Sequence, residues 1–136
     1  MKMDAAFFNE KDLENHPGAM GMHVVEIGED HAILEMKLEQ HHMNLNGFAH
    51  GGGIASLADT TCGYPTRANL PDDAKGFTTS EFKIHFLRPA QLGDVLRCRS
   101  KRIHRGRTNW IWDATVYNAE TEKNVAEFRC TNVIFY

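Results

Sequence analysis

The chain has 136 residues, a length that fits one folded domain rather than two. Hydrophobic residues make up 42% and charged residues 24%, a balance typical of globular proteins that argues against intrinsic disorder. The net charge of −3 argues against a dedicated nucleic-acid-binding protein, and no apolar run approaches the roughly 20 residues that a membrane-spanning helix needs.

The N-terminal segment, residues 1–18, predicts a short helical extension. Asp4 is a suitable N-cap for a helix over 4–15, and the His-Pro-Gly segment at 16–18 is expected to end it. The apolar stretch around Phe7 is too short for a secretory signal, so we expect a cytoplasmic protein.

A hairpin and a second helix are predicted next. Residues 22–27 have strand composition, and apolar and polar residues alternate over 32–39, which indicates a strand with one wet face. Residues 54–64 carry apolar side chains at helical spacing and many small residues, so a sheet is expected to wrap closely around this helix. Pro65 is expected to end or kink it.

Four further strands follow, separated by turns near 88–94, Gly106 and 118–123. Strands and helices do not alternate regularly along the chain, so βαβ units are not indicated. The predicted fold class is therefore α+β with an antiparallel sheet, in a single domain over 1–136.

Charge is unevenly distributed along the sequence. Residues 1–80 have a net charge of −7 and residues 81–136 a net charge of +4, because basic residues concentrate in one acid-free segment. These are Arg97, Arg99, Lys101, Arg102, Arg105 and Arg107. The cluster suggests an anionic ligand such as a phosphate. The alternative is a solvated strand and turn whose cations discourage edge pairing.

Cysteine and histidine usage gives no sign of a disulfide framework or a metal centre. Three widely spaced cysteines are an unpaired number, and Cys98 and Cys130 are expected to be small buried hydrophobes. The sequence has eight histidines, but it contains neither an H-E-x-x-H nor a C-x-x-C motif. The adjacent His41 and His42 cannot easily face one ion. We therefore expect no metal.

The segment 42–59 carries the most chemical information. A polar loop with Asn44 and His50 leads into three glycines at a helix start, where unpaired N–H groups can hold a phosphate, a carboxylate or a polarised carbonyl oxygen. Asp59 follows inside an otherwise small and apolar helix, where an unpaired charge is costly. A carboxylate on an exposed helix face, or one paired with Arg67 or with a neighbouring hydroxyl, is the structural alternative.

The pattern Asn44-x-x-Gly47-x-x-His50-Gly-Gly, followed by Ser-Leu-Ala-Asp59, resembles the hotdog-fold acyl-CoA thioesterases of the phenylacetate-degradation group, relatives of one class of 4-hydroxybenzoyl-CoA thioesterase. The resemblance extends over roughly 20–136. It implies a hotdog fold, in which a long central helix is wrapped by an antiparallel sheet of five to six strands. It also implies a homodimer as the minimal unit, often paired again into a homotetramer.

The same resemblance implies roles for individual residues. The Gly51 backbone N–H, with Asn44 nearby, would polarise the thioester carbonyl, and Asp59 would be the general base or the nucleophile. His50 would support the loop or contact the thioester, and Thr79 would help to orient water. Coenzyme A is part of the acyl-CoA substrate, so no cofactor is expected.

The coenzyme A phosphates suggest a role for the basic segment. Arginine binds phosphate by charge-assisted and often bidentate hydrogen bonds. Arg105 and Arg107, beside the Gly106 turn, are the favoured contacts, with Lys101 and Arg102 as weaker candidates.

Helix geometry predicts that the site is shared between subunits. Gly51 and Asp59 are eight residues apart, or about 12 Å along one helix at 1.5 Å per residue. Proton transfer needs about 2.6–3.2 Å, directly or through one water. An antiparallel copy of the helix would bring Asp59 of one subunit toward Gly51 of the other.

Two other functions remain open on the sequence. One is a hotdog hydratase or dehydratase acting on a thioester, although its usual H-F-P-G-type loop is absent. The other is a non-catalytic acyl-CoA-binding module, which has no need of a carboxylate at Asp59. The acyl group itself, aryl or aliphatic, is left undecided.

Overall fold

A computed structural model describes residues 2–136 of the chain. The helices are α1 (Ala5–Lys11), α2 (His16–Ala19) and α3 (Gly51–Ala68), with a single 3-10 turn at Gln40–His42. The strands are β1 (Met22–Ile27), β2 (His31–Lys37), β3 (Gly76–Phe86), β4 (Val95–Arg105), β5 (Asn109–Asn118) and β6 (Asn124–Phe135).

The six strands form one sheet in the order β1-β2-β4-β5-β6-β3, and every neighbouring pair is antiparallel. The helix α3 packs across one face of this sheet and contacts β1 to β6. The predicted α+β architecture, with a long helix wrapped by an antiparallel sheet, is confirmed. None of the helices within residues 2–136 has the length and apolar character needed to cross a membrane.

Strict alternation in β2 and β5 builds the core. Ala32, Leu34 and Met36 of β2 are buried, as the sequence pattern predicts. In β5 the two tryptophans, Trp110 and Trp112, are fully buried beneath α3. Since an aromatic side chain removes 150–250 Å² from water, these two residues contribute a large share of the apolar burial.

The N-terminal helix is shorter than predicted. Asp4 caps it as expected and accepts a hydrogen bond from the Phe7 N–H at 3.0 Å, but α1 ends at Lys11. The Asp12 carbonyl then accepts hydrogen bonds from two later N–H groups, which turns the chain. Pro17 lies in the first turn of α2 rather than stopping a helix, because the N–H that proline lacks has no helical partner at that position.

The prediction that Pro65 ends the central helix is wrong, since α3 continues to Ala68. Proline removes the hydrogen bond that residue 65 would donate to the Thr61 carbonyl. The Ser100 hydroxyl of β4 donates to that carbonyl instead, at 2.8 Å. The same hydroxyl accepts the Ala32 N–H at 3.1 Å, so one buried side chain satisfies two backbone groups.

We expect Ser100→Ala to lower the free energy of unfolding by about 1–3 kcal/mol, because it leaves buried backbone groups without partners. In a Pro65→Ala background the same change should cost less, because residue 65 then supplies the N–H that the Thr61 carbonyl lacks. Denaturant unfolding of the four proteins at one protein concentration measures both effects. An equal cost in the two backgrounds would contradict this account of Pro65.

Candidate active site

The start of α3 is held by His50. The His50 ring accepts the Gly52 N–H on Nδ1 at 2.9 Å, and the His50 carbonyl accepts the N–H groups of Gly53 and Ile54 at 3.0 and 3.3 Å. With Nδ1 as acceptor, the neutral ring carries its proton on Nε2. His50 is thus the N-cap of α3, and the roles that the resemblance implies for it stay predictions.

The Gly51 N–H remains available. Among residues 2–136 it has no acceptor, whereas the next three N–H groups of α3 all donate to His50. A Cβ atom at position 51 would lie 2.9 Å from the Phe86 ring, so only glycine fits without moving that ring. An unpaired N–H at a helix N-terminus carries a partial positive charge, which suits a polarised carbonyl oxygen.

A surface cleft of about 390 Å³ opens beside Gly51. Its walls are the loop before α3 and the segment after β3, with Asn44, Asn46, Phe48, Ala49, Gly51, Ile54 and residues 86–90 as lining. Asn44 is fixed in a tight turn, because its Oδ1 accepts the Asn46 N–H at 3.1 Å and its carbonyl accepts the Gly47 N–H at 3.2 Å. Gly47 has φ near 87°, a conformation that favours glycine.

Asp59 lies half-buried on α3, beside β3. The Thr79 hydroxyl donates to Asp59 Oδ1 at 2.7 Å. The structure therefore brings Asp59 and Thr79 together, and it does not pair Asp59 with Arg67, which is exposed. A carboxylate held by one hydroxyl still has its second oxygen available to accept a proton from water.

The sequence analysis missed Asn132, which joins this cluster. Asn132 on β6 is fully buried, and its side-chain amide donates to the Thr79 hydroxyl oxygen at 3.1 Å. A signal for it exists in the sequence, because Phe128, Cys130 and Ile134 predict an inward face on which position 132 is the one polar residue.

The two halves of the predicted site lie apart within the chain. Gly51 lies against Phe86 at the end of β3, whereas Thr79 is near the start of that strand. On α3 the eight residues from Gly51 to Asp59 correspond to about 12 Å at 1.5 Å per residue. The Asp59 side chain does not line the cleft beside Gly51 of the same chain.

Strand register places the basic turn at the Asp59 end. Arg105 pairs with Trp110, Trp110 with Asn132, and Asn132 with Thr79, so these four residues lie in one row across the sheet. Arg105 is therefore level with Thr79 and distant from the Gly51 cleft of the same chain.

The favoured phosphate contacts are exposed and stacked on aromatic rings. The Arg105 guanidinium lies 4.6 Å from the Trp110 ring centroid, and that of Arg107 lies 4.1 Å from the Tyr136 ring centroid. Stacking orients a guanidinium while its N–H edges stay available to an anion. Arg107 also lies 4.0 Å from Asp73, in an exposed and therefore weak ion pair.

The two weaker candidates differ in their surroundings. Arg102 covers the Trp110 ring at 4.9 Å and donates to the Glu29 carbonyl at 3.2 Å. Burial lowers the pKa of its guanidinium from the ordinary value. These contacts commit much of Arg102 to closing the core, whereas Lys101 is exposed.

Cys130 borders the cluster, because its Sγ lies 3.9 Å from the Asn132 amide nitrogen. All three cysteines are buried and none forms a disulfide. The burial predicted for Cys98 and Cys130 is confirmed. Burial raises the pKa of the Cys98 thiol to about 12 and raises that of Cys62 as well, which disfavours a thiolate nucleophile. Within residues 2–136 no group of three His, Cys, Asp or Glu side chains is placed to hold a metal ion.

Comparison with known proteins identifies the family of this chain. The sequence profile of the thioesterase superfamily matches residues 46–125, which span the glycine loop, α3 and the strands β3 to β5. The chain belongs to the thioesterase superfamily. As a member it is a thioester hydrolase with the hotdog fold, and the fold inferred from the sequence motifs is confirmed.

Individual relatives of this thioesterase are similar over most of its length. The acyl-coenzyme A thioesterase PaaI of Escherichia coli is 30% identical over 111 residues, or 82% of this chain and 76% of PaaI. The solved structure of E. coli PaaI, from the phenylacetic acid degradation operon, superposes with a TM-score of 0.83 at 26% identity, covering 96% of this chain and 89% of that one. The protein smu.793 of Streptococcus mutans, solved with acetyl CoA bound, gives a TM-score of 0.76 at 28% identity over 83% of this chain and 87% of that one.

Proposed function

We propose that this thioesterase hydrolyses acyl-CoA thioesters to the free acid and coenzyme A, at a site shared by two subunits. The observation that carries the proposal is the pairing of two features on one helix. Gly51, whose N–H has no acceptor within residues 2–136, lines a cleft at the start of α3, and a half-buried Asp59 accepts a hydrogen bond from Thr79 two turns later. The similarity to PaaI and to a protein with bound acetyl CoA supports coenzyme A as the thiol.

The N-terminus of α3 binds and polarises the thioester carbonyl. Attack on a thioester turns the carbonyl oxygen into an oxyanion, and fixed N–H donors stabilise that charge. The Gly51 N–H supplies one such donor, reinforced by the helix dipole. The amide of Asn44 lines the same cleft and supplies a second polar contact, while His50 keeps the loop in place.

Asp59 acts on the other side of the thioester, as general base or as nucleophile. As general base, its carboxylate takes a proton from water, the water oxygen bonds to the carbonyl carbon, and the C–S bond breaks to release coenzyme A, whose thiolate regains a proton. As nucleophile, the carboxylate oxygen bonds to the carbonyl carbon and the C–S bond breaks, which releases coenzyme A as a thiolate that regains a proton. Water then hydrolyses the resulting mixed anhydride to the free acid and regenerates the carboxylate. Thr79 orients the carboxylate in both routes.

A homodimer reconciles the two ends. Strand β3 lies at the edge of the sheet, and its end exposes Phe82, Phe86 and Leu87, with 45%, 52% and 56% of each side chain accessible. A second copy would cover this apolar edge and place Asp59 of the partner subunit near Gly51. Two such dimers would pair into the homotetramer implied by the family resemblance.

The same arrangement assigns the coenzyme A phosphates. Because Arg105 is level with Thr79, a partner that brings its Asp59 to the cleft also brings its basic turn to the same side. We assign the phosphates to Arg105 and Arg107, with Lys101 and Arg102 nearby. Three unpaired buried cysteines fit the reducing cytoplasm in which acyl-CoA substrates are found.

Asp59→Asn keeps the side-chain shape and removes the base, so kcat should fall by about 100-fold or more while KM changes much less. Release of coenzyme A, followed with a thiol reagent, measures both constants. Asp72→Asn, which removes an exposed carboxylate elsewhere, is the matched control and should behave as wild type. If Asp59→Asn keeps more than about a third of the wild-type kcat, Asp59 is neither base nor nucleophile.

Mixed oligomers test the shared site. Asn44→Ala and Asp59→Asn homo-oligomers should both be poor catalysts, because each lacks one half of every site. Hybrids refolded from a mixture should regain part of the activity, since one interface site then combines an intact Asn44 with an intact Asp59. Hybrids whose mass shows both subunits, yet which regain nothing, would place each complete site within one chain.

Arg105→Ala combined with Arg107→Ala should raise KM for acyl-CoA about tenfold at low salt, or about 1.4 kcal/mol. The penalty should shrink as salt screens the wild-type contacts. It should nearly vanish with a truncated thioester that lacks both phosphate groups. Lys11→Ala with Lys123→Ala removes the same charge outside the cluster and should leave KM unchanged. An unchanged KM in the arginine pair would end the phosphate assignment and leave the Asp59 chemistry standing.

A further inference from the structure

Asn132 differs from the other fully buried polar side chains of the described residues. Thr61 and Ser100 donate to backbone carbonyls and thereby complete the secondary structure around α3. Asn132 instead connects other side chains, since its Nδ2 lies 3.1 Å from Thr79 Oγ1 and its Oδ1 lies 2.7 Å from Thr66 Oγ1, with a longer contact of 3.9 Å from Nδ2 to Cys130 Sγ. An apolar residue at this inward position would fill the core without the cost of burying an amide.

The direction of these hydrogen bonds is fixed by the carboxylate. A carboxylate oxygen only accepts, so the single proton of the Thr79 hydroxyl is directed to Asp59 Oδ1 at 2.7 Å. The Thr79 oxygen must then accept from its other neighbour, which places the NH₂ group of Asn132 against it. Asn132 Oδ1 consequently faces Thr66, and this arrangement directs the single proton of the Thr66 hydroxyl to that oxygen at 2.7 Å rather than to the Cys62 carbonyl at 2.9 Å.

We propose that Asn132 is a positioning residue for hydrolysis, because it holds the Thr79 hydroxyl as a donor to Asp59. The proposal rests on the proposed function of Asp59. Without the Asn132 amide, the Thr79 hydroxyl is free to rotate away from the carboxylate. With it, Asp59 Oδ1 is occupied by Thr79, and Oδ2 remains for the reacting water. Thr66 contributes by keeping the amide from turning over.

Asn132→Ala should lower kcat about tenfold and leave KM for acyl-CoA within about twofold, because Asn132 orients the base and does not touch the substrate. Thermal unfolding of the same preparation reports separately on stability. A buried residue with only a structural role would change the melting temperature and the amount of folded protein, but not kcat per folded site. A wild-type kcat in folded Asn132→Ala protein would overturn the proposal.

Two threonines of α3 provide a matched pair. Thr61 and Thr66 are both fully buried, and both hydroxyls contact the carbonyl four residues earlier, at 2.7 and 2.9 Å, but only Thr66 also reaches Asn132. Thr66→Val should therefore lower kcat about threefold, whereas Thr61→Val should leave it unchanged despite a similar loss of stability. If Asn132→Ala does not fold, this pair decides, and equal kcat values in the two valine variants would overturn the proposal.

A double-mutant cycle tests whether Asn132 acts through Thr79. In a Thr79→Val background, Asn132→Ala should lower kcat by no more than about twofold further, because the hydroxyl it orients is gone. Multiplication of the two separate losses would contradict action through Thr79. The Asp59→Asn variant distinguishes a failure of the proposed function from a failure of the role of Asn132 alone. Its full activity would refute the proposed function, whereas its inactivity together with a wild-type kcat in Asn132→Ala would refute only the role of Asn132.

Discussion

The continuity of α3 is the constraint on which the rest of the site depends. This one helix carries Gly51 at its start and Asp59 two turns later, so the distance between these two residues within the chain is set by helix geometry. Pro65 threatens that continuity, and Ser100 restores it by donating to the carbonyl that proline leaves unpaired. Pro65 follows Asp59 in the chain, so Ser100 supports the last turns of α3, while the turns before Thr61 set the spacing of Gly51 and Asp59.

Periodicity predicted most of the architecture. The alternation in β2, the turns between the last four strands and the small-residue helix are local signals, and each indicated an element that the structure contains. The glycine loop and Asp59 were also visible, because their residue types are unusual in those positions. Local patterns therefore sufficed for the α+β fold class, the family resemblance added the hotdog fold, and the reacting groups chosen from the sequence stay predictions.

The sequence could not predict features that depend on a distant partner. Pro65 looked like a helix end because the compensating Ser100 lies 35 positions away in the chain and becomes a neighbour only through the sheet. Asn132 was overlooked for the same reason, since its partners Thr66 and Thr79 come from a helix and a different strand. In both cases a buried polar group makes sense only when its hydrogen-bond partner is known.

The separation of Gly51 from Asp59 also has an electrostatic consequence. A helix N-terminus attracts any negative charge, so a carboxylate placed beside Gly51 in the same chain would accept the N–H that the substrate carbonyl needs. Two turns of helix keep the Asp59 carboxylate away from the Gly51 N–H of the same chain. In the proposed dimer, a second subunit would supply a carboxylate from the opposite side, where it could approach the attacking water without competing for that N–H. Such a dimer would do more than bring the groups within reach, because it would keep the proposed oxyanion donor and the proposed proton acceptor from neutralising each other.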